Sequence, residues 1–196
     1  MTTIVLIRHA ATAWSGHRYL GRKDMPLSAE GREAAGKMAE GLATTVPAGV
    51  RIVASPSSRA RETAEIIAAA LGSPVAVETD PRWAEVDVGD AQGLTFEEVE
   101  ARFPSLARQL AAAEAEIDWP GGETAAALDA RVAAAWNAVV TAGRPTIVVS
   151  HAGSIRVAAA HATGRPAAEI AFPAPGEALH FEIEAIPGIA GDPTRR

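Results

Sequence analysis

The 196-residue chain contains no cysteine. That absence excludes disulfides, thiolate metal sites and cysteine nucleophiles, and it leaves no sign of an oxidising compartment. Long apolar runs are missing near the start as well. The first nine residues hold one run of four, Ile4 to Ile7, with no basic stretch before it and no small-residue cleavage pattern after it. A signal peptide or membrane span needs more than this, so the cytoplasm is the expected compartment. Positive charge is also scarce: 24 acidic residues stand against 18 Lys and Arg, a net charge of −6. Such a balance disfavours an extended nucleic-acid or anionic-membrane surface, so neither is an expected partner. An anionic ligand must then be held by a few focused arginines.

What is present is the composition of a compact protein, 48% apolar and 21% charged, with no low-complexity run to divide it. One domain over residues 1–196 is expected. Thr3 to Ile7 reads as a first strand, followed by a polar, glycine-bearing loop to Leu27. Ser28 is placed to cap an alanine-rich helix that ends before Pro47. Arg51 to Ala54 reads as a second strand, stopped by Pro56, and a helix from about Ser58 to Leu71 ends at Gly72. A third strand is expected near Val75 to Glu78, two short helices broken at Pro104 within 94–116, and a turn at Trp119-Pro120-Gly121-Gly122. A long helix from Thr124 to Thr141 precedes the clearest strand, Thr146 to Val149, and a helix follows to about Thr163. Ala178 to Ile186 alternates as a last, edge strand, and the tail Pro187 to Arg196 lacks periodicity. Strands separated by helical patterns predict an α/β fold: a three-layer α/β/α arrangement with a mostly parallel central sheet and a small helical cap around 94–122.

In an open parallel sheet the ligand crevice lies outside the carboxyl ends of the strands. Arg8-His9 follow the first strand, Ser55 to Arg59 the second, and Ser150-His151 the strand around Val148, so three segments deliver polar groups to one edge. An arginine holds phosphate oxygens in a planar fork while a neutral imidazole attacks phosphorus, and the pair Arg8-His9 therefore suggests phosphoryl transfer.

The segments LIRHAATAW, GRKDMPLSAEG, SPSSRARETA, WAEVDVGDAQG, WPGGET and VVSHAG, spread from residue 6 to residue 153, resemble in order and spacing the histidine phosphatase superfamily, the group that includes cofactor-dependent phosphoglycerate mutases. The resemblance implies His9 as the nucleophile that becomes phosphorylated. It implies Arg8 and Arg59 as clamps on the phosphoryl oxygens, His151 as a further donor to them, and Glu85 as general acid and base. Secondary phosphate contacts would come from Thr12, Ser15 and Gly21 on the loop after His9, and from the amide of Ala152 at a helix start. Two arginines and a histidine stabilise the charge on a transferring phosphoryl group without metal or other cofactor, so none is expected. For attack, His9 must be neutral, with one ring nitrogen fixed by a backbone carbonyl, and the neighbouring arginines should lower its pKa. A protonated Glu85 would serve the leaving alkoxide, then take a proton from water in the second step.

Each residue has a plainer role to be weighed beside this one. Arg8 and Arg59 could be surface ion pairs, and Glu85 could be a solvated acid like its neighbours Glu78, Asp80 and Asp87. His9 and His151 could ligate a metal, although two ligands are too few and flanking arginines repel a cation. Trp83, Trp119 and Trp136 are expected in the core or pocket wall. His17, His161 and His180 receive no catalytic role, though His17 is close enough in sequence to line the pocket.

Several positions depart from the pattern of the superfamily: Ala10, Ala11 and Ser15 after the histidine, and Ala91 and Gln92 after the glutamate. The mutases carry an arginine, a tyrosine and further basic residues beyond the glutamate, where this chain is acidic or apolar. A mutase also shields its phosphohistidine with a longer covering insert than 94–122 offers. The expected function is therefore a metal-independent phosphomonoesterase acting through a phosphohistidine on a small phosphorylated metabolite. The alternatives are mutase-type phosphoryl transfer and a non-catalytic relative that binds phosphorylated ligands. Length and the WPGGET segment resemble the α-ribazole phosphatases and broad-specificity phosphatases. Arg102, Phe103, Arg108 and Trp119 are the candidates for substrate selection, and the edge strand near Phe181 is the one feature bearing on oligomeric state.

Overall fold

A computed structural model describes residues 1–72, 76–112, 114 and 116–184. Five strands form one sheet: β1 (Thr2–Arg8), β2 (Arg51–Ala54), β3 (Val77–Thr79), β4 (Thr146–Ser150) and β5 (Ala178–Ile183). Their spatial order is β3-β2-β4-β1-β5, with β1 to β4 parallel and β5 antiparallel on β1. The helices are α1 (Ala29–Ala43), α2 (Ser58–Ala70), α3 (Phe96–Arg102), α4 (Pro104–Ala111), α5 (Ala125–Thr141) and α6 (Ala152–Thr163). Short 3-10 turns at Pro81–Trp83, Gly89–Ala91 and Ala167–Glu169 were not expected. The third strand begins at Val77 rather than Val75, and Val75, the last residues of the expected edge strand and the tail lie outside the described residues.

Alternation along the strands divides the core in two. Val5, Ile7, Ile52, Ala54, Ile147 and Val149 face α1 and α2, whose Ala39, Leu42, Ala60, Ala64 and Ile67 pack against them. Ile4, Leu6, Val53 and Val148 face the other way, onto Val132, Trp136 and Val139 of α5 and Ile155 and Ala158 of α6. Both faces of the parallel strands are thus covered, which is why they read as continuous apolar runs. Small alanines let α1 and α2 approach closely. Trp83 is fully buried in the α5–α6 layer, and Trp136 meets Phe181 of β5 edge-on with ring centroids 6.1 Å apart.

The cap is built as expected from two short helices. Thr95 and Glu98 form a reciprocal capping box at the start of α3, and Pro104 opens α4 at a position where its missing N–H costs nothing. Val99, Leu106 and Ala107 pack with Val88 and Ala91 in a small apolar cluster of their own, which fixes the cap beside the sheet edge.

Candidate active site

The site grows from three adjacent strand ends. The His9 amide donates to the Ser150 carbonyl at 2.9 Å, and the Ser55 amide to the Val149 carbonyl at 2.9 Å, so the segments leaving β1, β4 and β2 start side by side. α2 and α6 begin at once, carrying Arg59 and Ala152 back over the same edge. Arg8, His9, Thr12, Ser15, Gly21, Arg59, Glu85 and Ala152, eight of the nine residues expected at the site, line one hollow of about 300 Å³. His151 is fully buried and lies with Ser55, Arg59 and Glu85 on an adjoining hollow, its ring centroid 5.1 Å from that of His9.

His9 is 4% exposed and its Nδ1 lies 2.7 Å from the Ala10 carbonyl. Its Nε2 lies 3.2 Å from Arg59 Nε. A guanidinium nitrogen only donates, so Nε2 accepts, the proton sits on Nδ1, and the ring is neutral. Burial, then the charges of Arg59 and Arg8, push the His9 pKa down to about 3, against a weaker upward pull from the Ala10 carbonyl.

Arg59 is 1% exposed. Its Nη1 donates to the Lys23 carbonyl at 2.8 Å and its Nη2 to the Gly21 carbonyl at 2.9 Å. Among the described residues it has no ion-pair partner, which removes the surface-ion-pair alternative. A buried cation held only by neutral acceptors is costly, and an arriving anion relieves that cost. Arg8 is held by Nη1 donating to the Pro173 carbonyl at 2.8 Å, while its buried Nε has no partner. Burial lowers the pKa of both arginines, and Glu85, when ionised, opposes this.

His151, expected as a donor to the phosphoryl oxygens, is partnered here within the protein. Arg59 Nη2 lies 3.2 Å from its Nδ1, which must therefore accept, and Nε2 donates to Ser55 Oγ at 2.8 Å. In this arrangement His151 braces Arg59 from behind. Burial, then the influence of His9 and Arg59, holds it neutral, well below the usual histidine range.

Glu85 receives the Val86 amide on Oε1 at 2.9 Å, and burial raises its pKa above the ordinary carboxylate range despite Arg59, Arg8 and Arg131. A carboxyl that keeps its proton can donate it. Thr12 and Ser15 are spent partly on each other: the Thr12 amide donates to Ser15 Oγ at 2.9 Å. Gly21, with φ of +52°, contributes the carbonyl that holds Arg59, and a side chain there would meet Val88 Cγ2 at 2.6 Å. His17 is exposed and outside the hollow. Of the four cap candidates only Trp119 lines it; Phe103 is packed inside the cap, and Arg102 and Arg108 are exposed.

Three contributors were not anticipated. Arg131 of α5 donates to both Glu123 oxygens, at 2.7 and 2.8 Å, and to the carbonyls of Arg82, Ala84 and Glu85 at 2.7–3.1 Å, clamping the segment that carries Glu85. Gly153 faces Glu85 so closely that a Cβ would lie 2.7 Å from Oε1. Phe172, beside the Pro173 carbonyl that holds Arg8, forms an outer wall. Among the described residues no helix is long and apolar enough to cross a membrane, and no three His, Asp or Glu side chains are grouped to hold a metal.

With this geometry in view, the comparisons agree. The model of the histidine phosphatase superfamily, branch 1, matches residues 4–178. The chain belongs to that superfamily. It is 34% identical over 157 residues to phosphoglycerate mutase-like protein 4 of Arabidopsis thaliana, covering 78% of this chain and 67% of that one. It is also 34% identical over 173 residues to glucosyl-3-phosphoglycerate phosphatase of Mycolicibacterium vanbaalenii, covering 83% and 75%. A mycobacterial glucosyl-3-phosphoglycerate phosphatase solved in complex with VO3 superposes with a TM-score of 0.80 at 29% identity, over 92% of this chain and 90% of that one.

Proposed function

We propose that this protein is a metal-independent phosphomonoesterase that transfers the phosphoryl group of a small phosphorylated metabolite to His9 and then to water. The observation that carries the proposal is the state of His9: a neutral ring lining a hollow shared with two arginines and Glu85, with Nδ1 tied to the Ala10 carbonyl and Nε2 accepting from Arg59 Nε. In the first step Nε2 forms a bond to phosphorus, the bond from phosphorus to the leaving oxygen breaks, and Glu85 gives that oxygen its proton. Arg8 and Arg59 hold the charge spread over the three remaining oxygens. In the second step water attacks phosphorus, its proton passes to Glu85, and the N–P bond returns its electrons to His9.

The relatives carry both phosphatase and mutase names. Hydrolysis is the reading favoured here, because two arginines near the segment beyond Glu85 are already paired with its carboxylates: Arg22 with Asp87 and Arg18 with Glu98. Those pairs leave that side of the pocket without a cation committed to a substrate carboxylate. The test is phosphate release from a panel of monoesters in chelator-containing buffer. Wild type is expected to release phosphate through an acid-labile phosphoenzyme, and His9→Ala to release none. Interconversion of phosphoglycerates faster than phosphate release would establish a mutase, and phosphate binding without either reaction a binding protein.

A further inference from the structure

Beside the phosphate hollow lies a second cavity, of about 90 Å³, walled by Ile117, Trp119, Leu128, Val157 and Phe172. The two hollows share Val86, Trp119, Gly153 and Phe172, so they adjoin. Two of the shared residues border the Glu85 carboxyl: the Val86 amide bonds its Oε1, and Gly153 leaves the room that Oε1 occupies. Glu85 itself lines the phosphate hollow, and Val86 and Gly153, which touch its carboxyl, line both.

The small cavity offers carbon to whatever enters. Its charged wall residues are Glu123, both of whose oxygens bond Arg131, and Arg156, whose Nε donates to the carbonyls of Ala167 at 2.7 Å and Ile170 at 3.0 Å. The Arg156 guanidinium also lies over the Phe172 ring, 4.4 Å from its centroid. Phe172 is 53% exposed, an aromatic at the mouth with one face still open to be covered.

We infer that this cavity receives the leaving alcohol, and that the substrates are monoesters of compact apolar alcohols rather than of polyols or sugars. The inference rests on the phosphatase reading above. A volume of about 90 Å³ is below the ~150 Å³ void that accepts benzene, so a branched chain of roughly three to five carbons fits best. A polyol would bring hydroxyls against the carbon of Ile117, Leu128, Val157 and Phe172, where fewer of them find partners than in water.

The experiment compares kcat/KM for phosphate release from 3-methylbutyl phosphate, glycerol 3-phosphate and glucose 6-phosphate. All three are primary alkyl esters, so the acidity of the leaving alcohol gives the apolar one no advantage. The apolar ester is expected to be preferred about tenfold or more. Filling the cavity with Ala167→Phe, or independently with Ala125→Leu, is expected to bring that ratio towards one. Equal or reversed preference in wild type, or a ratio untouched by both substitutions, overturns the inference while leaving the phosphatase reading intact. No release from any ester, p-nitrophenyl phosphate included, overturns the phosphatase reading and this inference with it.

Discussion

Arg59 Nε donates to His9 Nε2 across 3.2 Å, so the cation expected to clamp the phosphoryl group already holds the nitrogen expected to attack it. Nε2 has one lone pair, so the guanidinium must exchange the ring for phosphate oxygens before that nitrogen can attack phosphorus. His9 is then expected to stay neutral, with its proton on Nδ1, down to a pH of about 3. Nitrogen chemical shifts of His9 across an acid titration check this, and a transition near 6.5 would contradict it. Arg59→Lys keeps a charge but loses the fork that reaches Gly21, Lys23, His9 and His151. It is expected to lower kcat/KM by about 10²–10³.

Acidity should set the working range through two groups of opposite need. His9 must be unprotonated to attack, which it achieves above about pH 3. Glu85 must be protonated to serve the leaving oxygen, and burial holds its pKa above the ordinary carboxylate range. The rate on alkyl esters is therefore expected to be highest on the acid side and to fall as pH rises through the pKa of Glu85. Glu85→Gln is expected to cost about 10²–10³ on these esters and to abolish that limb. A limb that persists unchanged in this variant belongs to the substrate phosphate, and Glu85 would lose its assigned role.

Stability should follow pH in a direction the same groups fix. His9 and His151 are held neutral in the folded protein, while in the unfolded chain they titrate near 6.5. Below that pH the unfolded state binds more protons, so stability is lost as pH falls from 6.5 towards 3. Glu85, raised on folding, acts oppositely, contributing stability at low pH that is lost as pH rises. With two histidines against one carboxyl, Tm is expected to drop between pH 7 and pH 5, and His151→Asn to flatten that drop. A Tm independent of pH in this window would mean that the histidines are not buried neutral.

Much of this was legible because strand and chemistry coincide in the sequence. Arg8-His9 and Ser150-His151 each end an apolar run, and a parallel sheet brings such ends to one edge. Proline and glycine placed the breaks correctly at Pro56, Gly72 and Pro104. What stayed hidden was assembled from residues with no shared period. Arg131 carries no motif signal on its alanine-rich helix, yet it reaches three carbonyls and a carboxylate. Trp119, Leu128, Val157 and Phe172 meet only because the cap, α5, α6 and the segment before β5 converge. Arg102 and Arg108, candidates for substrate selection, are exposed, because α3 buries Val99 and α4 buries Leu106 and Ala107.

Gly153 gives a test of placement separate from chemistry. A Cβ there would lie 2.7 Å from Glu85 Oε1, the movable end of a side chain, so the helix can keep its path while the carboxyl shifts. Gly153→Ala is expected to lower kcat by about 10–100-fold with little change in Tm, since displacement of a catalytic group by about 1 Å costs that much. Gly89→Ala should behave oppositely. Its φ is +50° and a side chain would strike the backbone of Pro120 and Gly121, so Tm should fall. Matching losses in both variants would remove the distinction.

Arg131 and Glu123 are expected to act on the reaction through Glu85 without touching substrate. Their pairing is two-pronged and mostly buried, with side chains 17% and 10% exposed, and the remaining Arg131 donors fix the carbonyls of residues 82, 84 and 85. Arg131→Lys cannot span the same acceptors. It is expected to lower kcat about tenfold with KM nearly unchanged and to shift the alkaline limb, because the charge that opposes the raised pKa of Glu85 moves. Removing the charge with Arg131→Met leaves Glu123 facing only Arg22 and should cost about 3 kcal/mol of stability. A purely structural clamp would change Tm and leave the pH profile alone. The double variant with Glu123→Gln should lose much less than the sum of the single losses, since each partner works through the other.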